Sequence, residues 1–174
     1  APIQEDVLSA LRRVFESKVF ILGPEVEAFE KQAAQYGRVR HALGVSSGTD
    51  AILMALMVLG IGAGDEVIVP SFTFAATANS VALTGATPVF ADIEADYFCL
   101  DPVAVEAAIT PRTKAIMPVH LYGHPAALRE FTALAEKHDL LLFEDAAQAH
   151  AASLDGVPVG AWGVAGSFSF YYYC

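Results

Sequence analysis

The sequence contains little cysteine and little positive charge. Its two cysteines, Cys99 and Cys174, are too few for a disulfide framework and lack metal-ligand spacing, which favours a reducing, cytoplasmic location. Ten lysine and arginine residues stand against twenty aspartate and glutamate residues, so the formal net charge is −10. Because nucleic acids bind clustered lysine and arginine, this balance excludes a nucleic-acid surface.

Long hydrophobic runs and several familiar motifs are also missing. The most apolar stretch, 51–63, is interrupted by glycine and is shorter than the roughly 20 residues that span a bilayer, so no membrane partner is expected. No GxGxxG or GxxxxGK[ST] motif follows a predicted strand, no GxSxG elbow is present, and no cluster has zinc-ligand spacing. Common dinucleotide, nucleoside-triphosphate, serine-hydrolase and zinc sites are therefore excluded.

The chain is instead rich in apolar residues that alternate between helical and strand patterns. Its hydrophobic fraction is 55%, above the roughly 45–50% of ordinary domains, which predicts a large shared interface or a part of a larger protein. The predicted helices are 5–17, 24–36, 49–59, 73–83, 102–109 and 126–138. The predicted strands are 41–45, 66–69, 88–92, 113–119, 140–143 and 166–170. Strands separated by helices indicate a three-layer α/β fold around a mostly parallel sheet.

Polar clusters follow several of the predicted strands. They are 46–49, 71–74, 120–123 and 145–148. Because ligands of such folds bind at the carboxyl ends of the strands, we expect these clusters to meet at one edge of the sheet. The sequence predicts that this edge is the functional site.

The turn 46–49 precedes a predicted helix and allows two interpretations. Free amides at a helix N-terminus bind phosphate, Gly48 permits close backbone approach, and Thr49 adds a hydroxyl. The alternative is a plain N-cap, because serine and threonine are favoured at the N-cap position.

The acidic pair Glu144 and Asp145 follows an apolar strand. A carboxylate at this position can pair with a protonated ring nitrogen, and a helical turn would place Gln148 on the same face as Asp145. The alternative is an N-cap aspartate beside a solvated glutamate.

Phe74 and the histidines His120 and His124 also allow two interpretations each. Phe74 can stack on a flat ring or belong to the core. His120 and His124 can act as an acid or base, or can simply be hydrogen-bonded loop residues.

Taken together, these segments resemble the DegT/DnrJ/EryC1/StrS family of pyridoxal-phosphate (PLP) aminotransferases. The resemblance is carried by blocks in chain order: FILGPEVEAFE at 20–30, SGTDA at 47–51, GDEVIVPSFTF at 64–74, GATPVF at 85–90, TPRTKAI at 110–116, PVHLYG at 118–123, EDAAQA at 144–149 and GSFSF at 166–170. It implies the aspartate aminotransferase large-domain fold (PLP fold type I), present here incompletely. Residues 1–174 are then expected to form one domain, the N-terminal part of the PLP-binding large domain, without the small C-terminal domain.

The resemblance also implies a function and a set of cofactor contacts. Family members transfer an amino group, usually from glutamate, to a nucleotide-linked keto-sugar, and they work as homodimers. The implied cofactor is PLP or its amino form, pyridoxamine phosphate (PMP). Gly48, Thr49 and Ser169 would hold the phosphate, Phe74 would stack on the ring, Asp145 would pair with the ring nitrogen, and Gln148 would reach the ring hydroxyl.

One position departs from the family pattern. By the resemblance, Cys174 stands where the Schiff-base lysine is expected, and cysteine cannot form an imine. The chain is therefore expected to have no catalytic lysine and to be inactive as a truncated aminotransferase. The alternatives are a non-catalytic PLP- or PMP-binding or regulatory member of the family, and a purely structural fragment.

Overall fold

The computed structural model describes residues 3–171, and Cys174 lies outside the described residues. The chain divides into two compact units, one ending at Gly44 and the other beginning at Val45. The expectation of a single domain over 1–174 stays a prediction. Every candidate site residue within the described range belongs to the second unit.

The first unit contains the two helices that the sequence predicts there. They are α1 (Gln4–Ser17) and α2 (Pro24–Gly37), and Pro24 occupies the first turn, where its missing amide costs nothing. The predicted strand 41–45 is wrong, because these described residues form no strand. The Gly44 amide donates to Glu30 Oε1 at 2.7 Å instead of to a sheet partner, and Leu43 is exposed.

The second unit is built on a five-stranded parallel sheet. From one edge of the sheet to the other, its strands are β2 (Thr87–Ala91), β1 (Glu66–Pro70), β3 (Thr113–Ile116), β4 (Leu141–Asp145) and β7 (Ala165–Ser167). Its helices are α3 (Gly48–Val58), α4 (Ala76–Leu83), α5 (Pro102–Ala108) and α6 (Leu128–His138). This confirms the predicted α/β class and the mostly parallel sheet.

Alternation along the strands divides the core into two layers. Side chains of successive strand residues point to opposite faces, so Val67 and Val69 pack with α3 and α4, while Ile68 packs with α5 and α6. Both faces are covered by helices, which explains why all five residues of β1 are buried.

Element boundaries differ from the prediction where polar residues begin or end an element. Helix α4 begins at Ala76, three residues later than predicted, and β4 continues through Glu144 to Asp145. A short hairpin of β5 (Ser153–Leu154) and β6 (Val157–Pro158) was not predicted. It turns on Asp155 and Gly156, both at positive φ, the pattern of a two-residue type I′ turn.

None of the helices within residues 3–171 is long and apolar enough to cross a membrane.

Candidate cofactor site

The two acids that end β4 face opposite sides of the sheet. Phe143 belongs to the core beneath α3 and α4, and Leu142 belongs to the core beneath α5 and α6. Alternation then sends Asp145 towards α4 and Glu144 towards the other face. The two carboxylates are neighbours in sequence but have different surroundings.

Asp145 is buried and its carboxylate is held by two donors. Thr77 Oγ1 donates to Oδ2 at 2.9 Å, and the Ala147 amide donates to Oδ1 at 3.2 Å. Burial raises the pKa of Asp145, and the hydrogen bonds from Thr77 and Ala147 and the proximity of His120 oppose that rise. Ionising this buried carboxyl group thus costs free energy, and a cationic partner would offset that cost.

Glu144 is fully buried and serves as an anchor for surrounding loops. Its Oε1 accepts from the amides of Trp162 and Gly163 at 2.7 and 2.9 Å, and its Oε2 accepts from Gly160 at 2.7 Å. His120 Nε2 lies 3.1 Å from the same Oε2. The alternative of a solvated glutamate at this position is therefore wrong.

His120 is equally buried, and its hydrogen bonds fix its tautomer. Its Nδ1 accepts from the Ala126 amide at 3.0 Å, so the proton is on Nε2 and is donated to Glu144. Both ring nitrogens are occupied inside the protein. The hydrogen-bonded interpretation of His120 is confirmed.

The segment after β4 is a turn, and Asp145 caps no helix. The Ala149 amide donates to the Ala146 carbonyl at 3.0 Å, which closes a β-turn rather than a helical turn. Gln148 is instead tied to a neighbouring loop, because its Oε1 accepts from the Tyr122 amide at 2.9 Å. Its Nε2 has no acceptor within residues 3–171 and remains available as a donor.

The N-terminus of α3 combines a cap with a close approach to Ser169. Ser47 is the N-cap, and its Oγ accepts from the Asp50 amide at 3.0 Å. A Cβ on Gly48 would lie 3.0 Å from Ser169 Cβ, so glycine is what allows the two segments to meet. In the described chain nothing accepts from the amides of Gly48 and Thr49. Ser47 therefore caps the helix, while the amides of Gly48 and Thr49 stay open to bind an anion. We call these two amides the anion cradle.

The anion cradle lies at the sheet edge, but it is not positioned by a preceding strand as predicted. The described residues before it, 3–46, form no strand. Helix α3 instead packs on β7, and β7 pairs Ser167 with Asp145 two residues before the buried Ser169. Gly48, Thr49, Ser169 and Asp145 thus lie at the same edge.

Phe74 follows β1 and is 75% exposed, so its assignment to the core is wrong. It is linked to Asp145 through its neighbour, because Thr73 Oγ1 lies 3.3 Å from Thr77 Oγ1, which in turn donates to Asp145. An exposed aromatic ring and a buried carboxylate therefore flank the same edge.

Three polar residues of the site were missed from the sequence: Thr73, Thr77 and Ser167. Ser167 is buried beside Asp145, and its Oγ has no hydrogen-bond partner in the part of the chain that is described. The alternation of Ser167 with Ser169 was a usable signal for two hydroxyls on one strand face. No comparable signal marks Thr77, because its contact with Asp145 spans 68 residues of sequence.

The comparisons with known proteins show which family the chain belongs to. The model of the DegT/DnrJ/EryC1/StrS aminotransferase family matches residues 2–173. The chain belongs to this family. The family is PLP-dependent, and the site carries matching features: free amides at a helix N-terminus, an exposed aromatic ring, a buried carboxylate and an orphaned buried hydroxyl.

Two curated relatives are enzymes that act on nucleotide sugars. The chain is 48% identical over 171 residues to a UDP-N-acetyl-3-dehydro-alpha-D-glucosamine 3-aminotransferase of Acidithiobacillus ferrooxidans, covering 98% of this chain and 46% of that protein. It is 52% identical over 163 residues to a dTDP-3-amino-3,4,6-trideoxy-alpha-D-glucose transaminase of Streptomyces venezuelae, covering 94% and 43%. The chain thus spans about half the length of the curated relatives it matches.

A solved structure supports the same assignment. DesV of Streptomyces venezuelae, crystallised in complex with a ketimine intermediate, superposes with a TM-score of 0.93 at 49% identity. The match covers 98% of this chain and 46% of that one.

Proposed function

We propose that this chain forms the cofactor-binding part of a PLP-dependent aminotransferase of amino-sugar biosynthesis. The reaction would move an amino group from a donor such as glutamate to a nucleotide-linked keto-sugar. The observation that carries the proposal is the buried Asp145 carboxylate at the same sheet edge as the open amides of Gly48 and Thr49. Family membership supplies the chemical context.

Each candidate residue would make one kind of contact with the cofactor. The amides of Gly48 and Thr49, at the positive end of α3, would bind the phosphate together with the Ser169 hydroxyl. Phe74 would cover one face of the ring, and the free Gln148 Nε2 would donate to the ring hydroxyl. Asp145 would accept from the protonated ring nitrogen.

When bound, the cofactor supplies an electron sink for the carbon that gains or loses the amino group. The contribution of Asp145 is to hold the proton on the ring nitrogen, because a carboxylate buried beside a cation favours the charged form of both. The hydrogen bonds from Thr77 and Ala147 lower the pKa of Asp145 and orient its carboxylate. The fixed Nε2–H tautomer of His120 leaves it no role in proton transfer at the site.

Position 174 supports non-covalent binding by this chain. Cysteine cannot replace lysine as the covalent anchor or as the group that moves a proton at the reacting carbon. The two lysines of the second unit, Lys114 and Lys137, lie at the start of β3 and the end of α6, away from the carboxyl ends of the strands. We therefore propose that this chain binds cofactor without completing the reaction.

Other parts of the proposal concern partners and location. A homodimer is proposed because large apolar side chains around the site, including Phe72, Phe74 and Tyr122, are exposed. A nucleotide sugar is proposed as the substrate because the relatives carry such names. The scarcity of cysteine supports a cytoplasmic location.

Calorimetric titration with PMP tests the proposal, because PMP needs no lysine. We expect the chain to bind one PMP, and Asp145→Asn to bind about tenfold more weakly or worse, as loss of a charged hydrogen bond predicts. Glu66→Gln is the matched control, since Glu66 is also buried and also accepts from a threonine hydroxyl, that of Thr110. Absence of PMP binding by the unmodified chain, or equal losses in both variants, would contradict the proposal.

The second candidate function is a non-catalytic PLP- or PMP-binding or regulatory protein, favoured by the cysteine at position 174. Borohydride treatment of the chain with one equivalent of PLP separates the two candidates. A stable mass increase that requires Asp145 would show covalent attachment at the site, would favour an enzyme and would contradict the non-covalent binding proposed above. Tight PMP binding without such attachment would agree with non-covalent binding and favour the binding protein.

A further inference from the structure

A chain of hydroxyl groups leads from the segment that carries Phe74 to Asp145. Thr77 lies in the first turn of α4 and is only 1% exposed, and its Oγ1 donates to Asp145 Oδ2 at 2.9 Å. Thr73, the residue before Phe74, has its Oγ1 3.3 Å from Thr77 Oγ1. The link between β4 and the loop after β1 therefore consists of two side-chain hydrogen bonds.

The direction of these hydrogen bonds follows from counting protons. A carboxylate only accepts, and a hydroxyl has one proton to donate. The Thr77 proton is committed to Asp145, so Thr77 Oγ1 can only accept from Thr73. Both hydroxyl dipoles then point towards the carboxylate and reinforce each other.

The contact with Thr77 is the shorter of the two that hold the Asp145 carboxylate. The other donor, the Ala147 amide, lies 3.2 Å from Oδ1 and belongs to the turn that follows β4. Thr77 reaches Asp145 from a separate element, so it fixes how the carboxylate plane is oriented across the sheet edge.

We infer that Thr77 is a positioning residue that orients Asp145 towards the ring nitrogen of the cofactor, and that Thr73 couples the Phe74 segment to the same carboxylate. The inference rests on the proposed function. It makes the ring-stacking residue and the nitrogen-binding residue parts of one hydrogen-bonded unit.

The charged surroundings of Asp145 allow a pH test. On its own strand Glu144 lies next to it in sequence, and from the loop after β3 His120 lowers the pKa of Asp145, against the larger effect of burial. The elements packed against it, α4 and β7, bring Thr77 and Ser167, which do not titrate in this range. Removal of the Thr77 donor should therefore raise the pKa of Asp145 further, since that hydrogen bond lowers it.

The test is PMP affinity as a function of pH for Thr77→Val and Thr77→Ser. Thr77→Val keeps the shape of the side chain but removes the donor, so affinity at neutral pH should fall about tenfold. The acidic limb of the binding profile should move to higher pH. Thr77→Ser restores the donor and should restore both the affinity and the profile.

Two further variants keep the test decisive. Thr132→Val is the control, because Thr132 is a half-buried helical threonine that donates to the Leu128 carbonyl on α6, and it should leave binding unchanged. Thr73 lies outside the helices of the described residues. Thr73→Val should weaken PMP binding about threefold, the usual effect of losing a neutral hydrogen bond. Thr73→Val replaces Thr77→Val as the test variant if Thr77→Val does not fold.

The outcomes separate this inference from the proposed function. An unmodified chain that does not bind PMP overturns the proposed function and the inference with it. If the unmodified chain binds PMP, the inference is overturned by a Thr77→Val profile like that of the unmodified chain. It is equally overturned by a loss of affinity without a pH shift that Thr77→Ser fails to rescue.

Discussion

At the residue scale, Asp145 is a functional group that costs the free protein stability. Burial raises its pKa, so the folded chain holds a proton on this carboxyl more tightly than the unfolded chain does. The protonated carboxyl therefore contributes favourably to the free energy of unfolding. This contribution is fully present below the pKa of the unfolded chain and is lost as the pH rises through the raised pKa of the folded chain. Ionisation of the buried carboxyl therefore costs free energy that a cationic partner would offset.

Asp145→Asn should therefore make the cofactor-free chain more stable than the unmodified chain, and the gain should be larger at neutral pH than at acidic pH. The same substitution should weaken PMP binding. An asparagine can accept from Ala147 and donate to Thr77, so both neighbours stay satisfied. We expect a gain on the order of 1 kcal/mol near pH 7 and a smaller gain near pH 4. Urea unfolding of both proteins across this pH range measures it, and a loss of stability at neutral pH would contradict the account.

Gly48 should be required for cofactor binding more than for folding. A Cβ at this position lies 3.0 Å from Ser169 Cβ and would fill the space between α3 and Ser169. Gly48→Ala should weaken PMP binding about tenfold, while stability changes by no more than about 1 kcal/mol, because alanine favours a helix.

Gly62→Ala is the control for that substitution. Its new Cβ would meet only the Thr84 carbonyl oxygen, at an ordinary 3.6 Å. Calorimetry with PMP and urea unfolding of both variants test the prediction. Equal PMP affinity in Gly48→Ala and the unmodified chain would show that the cradle is not the phosphate site.

Some site residues could be predicted from the sequence, but the contacts that orient them could not. Gly48, Asp145 and Gln148 could be named because each stands in a recognisable motif. The contacts that orient them could not, since Thr77 meets Asp145 and Tyr122 meets Gln148 across long stretches of sequence. An acidic pair in sequence also does not tell which acid is the anchor and which faces the ligand.

At the element scale, Glu144 ties the loop before β7 to β4. Three loop amides, those of Gly160, Trp162 and Gly163, and the His120 ring converge on one carboxylate. This convergence holds the loop that leads into β7, whose last residue is two positions before Ser169. The anchor is thus part of how the phosphate cradle is positioned.

Glu144→Ala should destabilise the chain strongly. It would leave the buried His120 and three part-buried loop amides without their acceptor, and each buried donor left unsatisfied costs about 1–3 kcal/mol, so we expect a loss of at least about 3 kcal/mol. Glu130→Ala on the exposed face of α6 should change stability by less than about 0.5 kcal/mol. Urea midpoints of the two variants provide the comparison, and similar midpoints would argue against the anchor.

Elements were predicted well where apolar periodicity is strong and poorly where it is short. Helices α1, α2 and α6 and strand β1 lie close to their expected positions. The false strand at 41–45 had an apolar pattern but no neighbouring strand to pair with, a property that sequence does not show. The missed hairpin is signalled only by Asp155-Gly156 between the two-residue strands Ser153–Leu154 and Val157–Pro158.

At the scale of the whole molecule, large apolar side chains remain exposed on the second unit. Met54, Met57 and Val58 of α3 are 52%, 62% and 87% exposed, and Leu83 of α4 is 67% exposed. Exposed apolar patches of this kind favour association. They fit the high hydrophobic fraction of the chain and support the proposed homodimer.

Sedimentation velocity should accordingly show a mass that rises with concentration in the micromolar range. Met57→Lys combined with Val58→Lys should shift the chain towards the monomer, because it places charge on the exposed face of α3. Val103→Lys is the control, since Val103 is a 75% exposed valine on α5, on the other face of the sheet. A monomer at all concentrations, or equal effects of both changes, would contradict the homodimer.

The central claim is that Asp145 holds the ring nitrogen of the cofactor in its protonated form. The most direct measurement is the ¹⁵N chemical shift of PMP labelled at the ring nitrogen, bound to this chain at a pH where free PMP has lost that proton. We predict the chemical shift of a protonated pyridinium in the unmodified chain and that of a neutral pyridine in Asp145→Asn. A neutral ring nitrogen in the unmodified chain, or a pyridinium that survives in Asp145→Asn, would contradict it.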